Sequence, residues 1–241
     1  MVIKKIFSTI GSTIKLISLF IGAFILITAF MILLFRWVNP PVTSFMQLKS
    51  LGEISDFWDP PEIEIEWVSI DNIPKHMSLA VIASEDQRFF EHFGYDIVEI
   101  EKAIKERERK RRVRGASTIS QQTAKNIFLP PDKSMFRKGM ELYFTFLIEL
   151  FWSKERILEV YLNVVEFAPN VYGVEAASQK FYKKSAVKLN SSQSALLAAV
   201  LPNPKRFSVA KPSRYILNRR DRILKQMQNL GGSDYVKENF E

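Results

Sequence analysis

Four stretches of this 241-residue chain bring together residue types that can do chemistry. The first is Glu85-Asp86-Gln87-Arg88-Phe89-Phe90-Glu91-His92-Phe93-Gly94-Tyr95-Asp96. Its acidic pair follows directly on the apolar run LAVIAS, so a carboxylate stands where a buried helix emerges. Burial raises the pKa of a carboxyl group toward the range useful to a general base or acid. The plainer reading is a helix end with solvated charges. His92, beside a glycine turn, reads most simply as a hydrogen-bonded turn residue. The second stretch is Gly115-Ala116-Ser117-Thr118-Ile119-Ser120-Gln121-Gln122-Thr123-Ala124-Lys125-Asn126. Thr118 and Gln121 fit a capping box, in which two side chains satisfy the free amides of a helix start reciprocally. Thr118, Gln121, Gln122 and Lys125 also stand at i, i+3, i+4 and i+7, a polar stripe on one helix face with no acid in it. Amides, a hydroxyl and an ammonium at a helix N-terminus suit a sugar and a phosphate together, and an exposed surface helix explains the stripe equally well.

The third stretch, Arg137-Lys138-Gly139-Met140-Glu141, sets a carboxylate four residues after an arginine and three after a lysine. As a bare pattern this is an ordinary helical ion pair, worth a few tenths of a kcal/mol. The fourth, Ile157-Leu158-Glu159-Val160-Tyr161-Leu162-Asn163, continues through a loop into Tyr172-Gly173-Val174-Glu175-Ala176-Ala177 and reads mostly as packing. The run KERERKRRVR at 105–114 is a solvated helix end whose last five residues lack acids and are able to meet lipid head groups or a pyrophosphate. Two Ser-x-x-Lys matches, Ser12 to Lys15 and Ser185 to Lys188, have no Lys-Thr-Gly after them and are chance.

The elements that must position these residues are nearly all helical. Apolar spacing predicts helices over MSLAVIASEDQRFF, IVEIEKAIKERERK, GASTISQQTAKNIF (stopped by Pro130-Pro131) and a longer one capped by Ser134 and running through Trp152. SKERILEVYLNVV, GVEAASQKFY and SSQSALLAAVL follow, and a last helix is capped by Ser213 and ended by Gly231. IEIEWVSI alternates like a short strand. Before all of this, Leu16 to Phe35 is uncharged and apolar, about the 20 residues a helix needs to cross a bilayer. No small-residue cleavage site follows it, so it reads as an anchor rather than a signal peptide. Lys4, Lys5 and Lys15 precede it, which places the N-terminus in the cytoplasm and everything after Arg36 outside. Trp37 suits the interface, and Pro40-Pro41 are expected to end the helix. The expected boundaries are a cytoplasmic arm at 1–15, the anchor at 16–38, a connector at 39–72, a mainly α domain at 73–232 and a tail at 233–241.

Composition sets the remaining limits. Hydrophobic residues make up 47% of the chain, including 19 Phe, which suits a real core that also meets acyl chains. With no cysteine, disulfides and thiolate metal sites are excluded. The net charge is +8, four units of it from Lys4, Lys5, Lys15 and Arg36. The excess left over is too small to indicate nucleic acid, and none is expected as a partner.

In this order and at these distances, EDQRFFEHFGYD, GASTISQQTAKN, RKGME and RILEVYLN resemble the peptidoglycan glycosyltransferases, the lysozyme-like module also found in bifunctional penicillin-binding proteins. The resemblance runs from about residue 65 to 230, and RWVNPPVTSFM with LLAAVLPNPKRFSVAKPS looks most like the monofunctional biosynthetic version. Phe93 stands where the family often has Pro. The resemblance implies a mainly α, lysozyme-like, two-lobed domain behind one transmembrane helix. It implies Lipid II and the growing lipid-linked glycan strand as substrates, at the bacterial inner membrane with the catalytic domain on the periplasmic side. It leaves open contacts with cell-wall synthases or division proteins. By motif position Glu85 resembles the general base and Glu141 the second catalytic acid, with Lys125, Arg137 and Lys138 neutralising the leaving pyrophosphate. Asp86, Phe89, His92, Ser117, Thr118, Gln121, Gln122, Asn126, Tyr161 and Asn163 fall on positions that shape the cleft or bind substrate. No cofactor is required; a divalent cation, Mg or Mn, has room to bridge Glu141 and pyrophosphate. A lysozyme-like hydrolase and a non-catalytic wall scaffold are the competing readings, and the basic, amide-rich set Lys125, Arg137 and Lys138 argues against the hydrolase.

Overall fold

The computed structural model describes residues 2–40, 43, 46, 63–108, 115–131 and 134–240. Two compact units result, Met1–Asn39 and Pro40–Glu241. The apolar pieces of 41–60 and the basic end of the 105–114 run lie mainly outside the described residues.

The first unit is one helix, α1 (Val2–Phe35). Its apolar part, Ile10–Phe35, is 26 residues with a mean hydropathy of 2.8, and at about 1.5 Å per residue it exceeds the thickness of a hydrocarbon core. Phe20, Leu26 and Phe30 are exposed, as an apolar solvent requires. The helix starts well before the expected anchor and stops at Phe35, ahead of Trp37 and the prolines. The cause is Pro40, whose ring would clash with the carbonyl of Arg36 in a continuing helix and which keeps Asn39 out of the helical region. Arg36 and Trp37 instead make turn bonds back to Leu33 and Leu34.

The second unit is a helical domain built from α2 (Lys75–Glu85), α3 (Ile97–Glu108), α4 (Ile119–Phe128), α5 (Met135–Phe151), α6 (Lys154–Val164), α7 (Val174–Tyr182), α8 (Ser191–Val200), α9 (Arg214–Asn229) and α10 (Ser233–Phe240). Ser134, Ser153, Asn190 and Ser213 cap four of these, each side-chain oxygen accepting the amide three residues on. α4 packs on α5 and α6, while α2 packs on α8, α9 and α10, so the helices form two groups. The core is aliphatic: Leu79, Val81, Ile82, Ile119, Leu158, Leu197 and Val200 are fully buried or nearly so.

A small sheet joins the groups. β1 (Glu64–Ile65) runs parallel to β3 (Val171–Tyr172), and β3 is antiparallel to β2 (Glu166–Ala168), in the order β1-β3-β2. Of the expected strand IEIEWVSI two residues pair in this sheet, because Asn163 takes over further along. Its amide clasps the Val68 backbone from both sides, accepting from Val68 N and donating to Val68 O at 2.8 Å each. The β2–β3 hairpin was not expected from the sequence. Its turn passes through Asn170 at φ 61°, a left-handed position that asparagine tolerates.

Gly173 follows the hairpin at φ +84°, and a Cβ there would sit 2.7 Å from the Asn163 carbonyl oxygen. Gly173→Ala is therefore expected to cost about 3 kcal/mol, from strained backbone plus a clash with main chain that cannot yield. Chemical denaturation checks this: a midpoint unchanged from wild type would show that the hairpin relaxes freely.

The C-terminal segment is more than a tail. α10 lies on α2, Phe90 meets Tyr235 and Phe240 edge to face at 5.6 and 5.9 Å, and Lys75 Nζ stands 4.7 Å from the Phe240 ring. The apolar spacing of Tyr235, Val236 and Phe240 supplies that face.

Candidate active site

α2 is apolar along most of its length, and Glu85 is its last residue. Asp86 leaves the helix at φ −160°, so the helix expected to run through Phe90 stops five residues earlier. The stop is held by the Asp86 carboxylate, which accepts from the Ile119 amide at 3.0 Å and pairs with His92 Nε2 at 2.9 Å. This carboxylate thus ties the end of α2 to the start of α4.

The Glu85 side chain is 12% exposed and surrounded by donors. Gln122 Nε2 donates to Oε2 at 3.2 Å; Ser84 Oγ and Arg219 Nη2 donate to Oε1 at 2.9 and 3.3 Å. The setting is more polar than the preceding apolar run implied. Gln122 is itself oriented by Tyr161, whose hydroxyl donates to Gln122 Oε1 at 3.1 Å. Burial, and then the nearby charges of Glu85 and Asp86, push the Tyr161 hydroxyl well above its ordinary range, so it stays a donor.

A polar cavity of about 340 Å³ opens beside Glu85, walled by Gln87, Arg88, Glu99, Lys102 and the Gly115–Thr118 segment. A second, mostly apolar one of about 610 Å³ is walled by Tyr95, Ile97, Ile100, Gln121, Lys138 and Leu142. Ala116 and Ser117 line both. Glu141 belongs to the α5 side of this arrangement. It is 4% exposed, with Oε2 held by Arg137 Nη1 at 2.9 Å and Oε1 by Lys138 Nζ. Arg137 Nε has no partner among the described residues, and Lys138 keeps 40% of its side chain exposed.

The expected site residues thus divide. Glu85, Gln122, Ser117 and Lys138 border the cavities or the carboxylate in them. Thr118 and Gln121 form the expected capping box, and Thr118 Oγ1 also donates to Gly94 O at 2.6 Å. Gly94 has φ +79°, and a Cβ on it would strike Thr145 at 2.7 Å, which is why this turn can lie directly on α5. Phe89, Tyr161 and Asn163 are fully buried, and Asp86, His92 and Asn126 nearly so or half-buried. Asp86 also lines the polar cavity. The apolar bodies of Phe89 and Tyr161 and the Asn163 amide fill inward positions, where Val68 supplies the partner of the amide. Lys125 is half-buried about two turns along α4.

Sequence reasoning missed Glu149, Lys154 and Arg219. Glu149 Oε1 accepts from Ser120 Oγ at 2.5 Å and Lys154 Nζ at 2.8 Å, and Lys154 also reaches His92 O at 2.7 Å. These bonds brace the segment from Phe89 to Gly94 from below, and no local spacing announces them.

Glu141 does not fit a divalent cation: both oxygens already face cations, and a further positive charge there meets repulsion. Asp86, His92 and Asp96 come together as well, but Asp86 serves His92 and the Ile119 amide while Asp96 Oδ1 serves Arg88 Nη1 and the Glu99 amide.

A family model described as transglycosylase matches residues 52–228, which takes in the whole of this site. The chain belongs to the transglycosylase family. It is similar to the biosynthetic peptidoglycan transglycosylase of Bacteroides thetaiotaomicron, 53% identical over 200 residues, with 83% of this chain and 80% of that protein covered. The protein of the same name from Bdellovibrio bacteriovorus is 51% identical over 198 residues, covering 81% and 78%. That of Escherichia coli is 55% identical over 175 residues, covering 72% of each. Both cavities of this transglycosylase are built from residues inside the matched span.

Proposed function

We infer that this transglycosylase polymerises Lipid II into linear β1→4-linked glycan strands, releasing undecaprenyl pyrophosphate. The observation that carries the reading is the pair of cavities with a common wall at Ala116–Ser117, one holding a solvent-reachable carboxylate and the other a lysine among apolar side chains. Glu85 takes the proton of the acceptor 4-hydroxyl. The freed oxygen attacks C1 of the donor sugar, and the bond from C1 to the pyrophosphate oxygen breaks on the opposite face, inverting the centre. Lys138 and Arg137 receive the charge that develops on the pyrophosphate, with Glu141 fixing where they point. Ile97, Ile100 and Leu142 offer the prenyl chain an apolar wall.

A hydrolase needs a carboxylate but has no use for cations opposite it. Incubation with purified cell wall is expected to release no soluble muropeptide; steady release would overturn the polymerase reading.

Membrane attachment by α1 follows from its length and apolarity. We place its N-terminus in the cytoplasm and the catalytic domain outside, on the strength of Lys4, Lys5 and Lys15. The domain also exposes Met135 and Phe136 at 87% and 78%, and Ile97 and Leu142, which line the apolar cavity, are exposed as well. An exposed surface of this kind suits acyl chains, through which the substrate's lipid has to pass. In vesicles, a bilayer-embedded photoprobe is expected to label the Met135–Phe136 segment of the full chain. Labelling confined to α1 would remove the domain from the membrane.

A further inference from the structure

Glu85 is the final residue of α2, where the helix's unsatisfied carbonyls concentrate negative charge. An ionised carboxylate is poorly placed there, and Asp86 adds a second one next to it. Some group must offset them. Asp86 is answered by the Ile119 amide and His92. Glu85 is answered by a guanidinium from 134 residues away in the chain.

That guanidinium is not a loose surface charge. Arg219 lies on the packed face of α9, between Ile216 and Ile223, which are 1% and 4% exposed. One nitrogen, Nη2, reaches both Ser84 Oγ at 2.9 Å and Glu85 Oε1 at 3.3 Å. Ser84 Oγ in turn donates to Glu85 Oε1 and lies 3.2 Å from the Ala198 carbonyl on α8. Two turns further along α9, Gln226 donates to Gln87 at 2.9 Å, so the helix grips the segment on both sides of Glu85. Gln122 holds the other carboxylate oxygen from α4.

We propose that Arg219 is a positioning residue for the transfer reaction: with Ser84 it fixes the Glu85 carboxylate in one orientation. This rests on Glu85 being the base. Two oxygens pinned from α4 and α9 leave one direction for accepting the substrate proton, and a base that wanders by an ångström loses rate rather than affinity.

The test is steady-state polymerisation of labelled Lipid II by the full-length protein in detergent, for wild type, Arg219→Met, Arg219→Lys and Glu85→Gln. Charged groups facing Glu85 include Arg219 from α9, Asp86 on its own segment, and Arg88, Asp96, Glu99 and Lys102 across the polar cavity; Tyr161 and Gln122 are neutral. Arg219→Met is expected to lower kcat about tenfold to a hundredfold with KM within about twofold. Arg219→Lys, which keeps a cation able to reach Glu85, restores part of kcat. Should Arg219→Met not fold, Arg219→Gln, which keeps a donor for Ser84, must show a fall in kcat of the same kind at unchanged KM. Wild-type kcat in a folded neutral variant overturns the proposal, as does a raised KM with unchanged kcat. If Glu85→Gln itself polymerises at the wild-type rate, the reading of Glu85 fails first, a result distinct from failure of Arg219 alone.

Discussion

Glu85→Gln is expected to lower polymerisation by about 10³-fold while leaving the fold intact, within the range general-base removal usually costs. The amide has nearly the same shape, so α2, the Asp86–His92 pair and the Gln122–Tyr161 contact have no reason to move. What changes is the chemistry. An amide oxygen cannot take the hydroxyl proton, and the amide NH₂ would face a donor, either Gln122 or the Ser84–Arg219 pair. Substrate affinity is expected to stay within a few-fold, because the cavity walls are unchanged. Single-turnover kinetics with labelled Lipid II separates the two effects. A variant that binds poorly but reacts at the normal rate would assign Glu85 to binding instead.

Glu141→Gln is the second large effect, and it acts on both stability and rate. The carboxylate is 4% exposed and is shared by Arg137 and Lys138. Removing its charge leaves two adjacent cations with no partner at the start of α5. Breaking a fully buried pair costs about 3–5 kcal/mol; with Lys138 40% exposed to solvent, about 2 kcal/mol is expected here. For a domain of this size that lowers the melting temperature by about 4–8 °C. Polymerisation is expected to fall about 10²-fold even at temperatures where the variant is fully folded, since the two cations no longer point at one place. A lowered melting temperature with unchanged turnover would make Glu141 a purely structural residue.

The local settings of both carboxylates were legible in the sequence, while their roles came from the family resemblance alone. Glu85 stands at the junction of an apolar run and a polar turn, and Glu141 completes an i, i+4 pair whose neighbour adds a second cation. The Thr118–Gln121 box and the serine caps were legible too, because a capping residue acts within one helical turn of itself. What sequence spacing could not supply is contact across the fold. Arg219 reads as one of several arginines on an amphipathic helix, and Lys154 as a first-turn lysine, until the packing brings each beneath the cleft. The same limit hides what Phe89, Tyr161 and Asn163 touch, since their motif positions leave open whether they shape the cleft or bind substrate, and their side chains are fully buried. Asn163 is instructive: a side-chain amide sets an N–H donor beside a carbonyl acceptor, as a peptide group does, and here it serves as a strand partner for Val68 while its second N–H bonds the Glu159 carbonyl. The β2–β3 hairpin was missed because strands of three and two residues carry too little alternation to register. α10 was read as a tail because an eight-residue segment shows its purpose through Phe90 and Lys75, residues far from it in the chain.

The most direct test of the account is polymerisation of labelled Lipid II by the detergent-solubilised full-length protein, followed by muramidase digestion. The expected product is a high-molecular-weight glycan that muramidase cuts back to disaccharide units, with undecaprenyl pyrophosphate released one for each bond formed. Folded protein that leaves Lipid II intact under these conditions would contradict it.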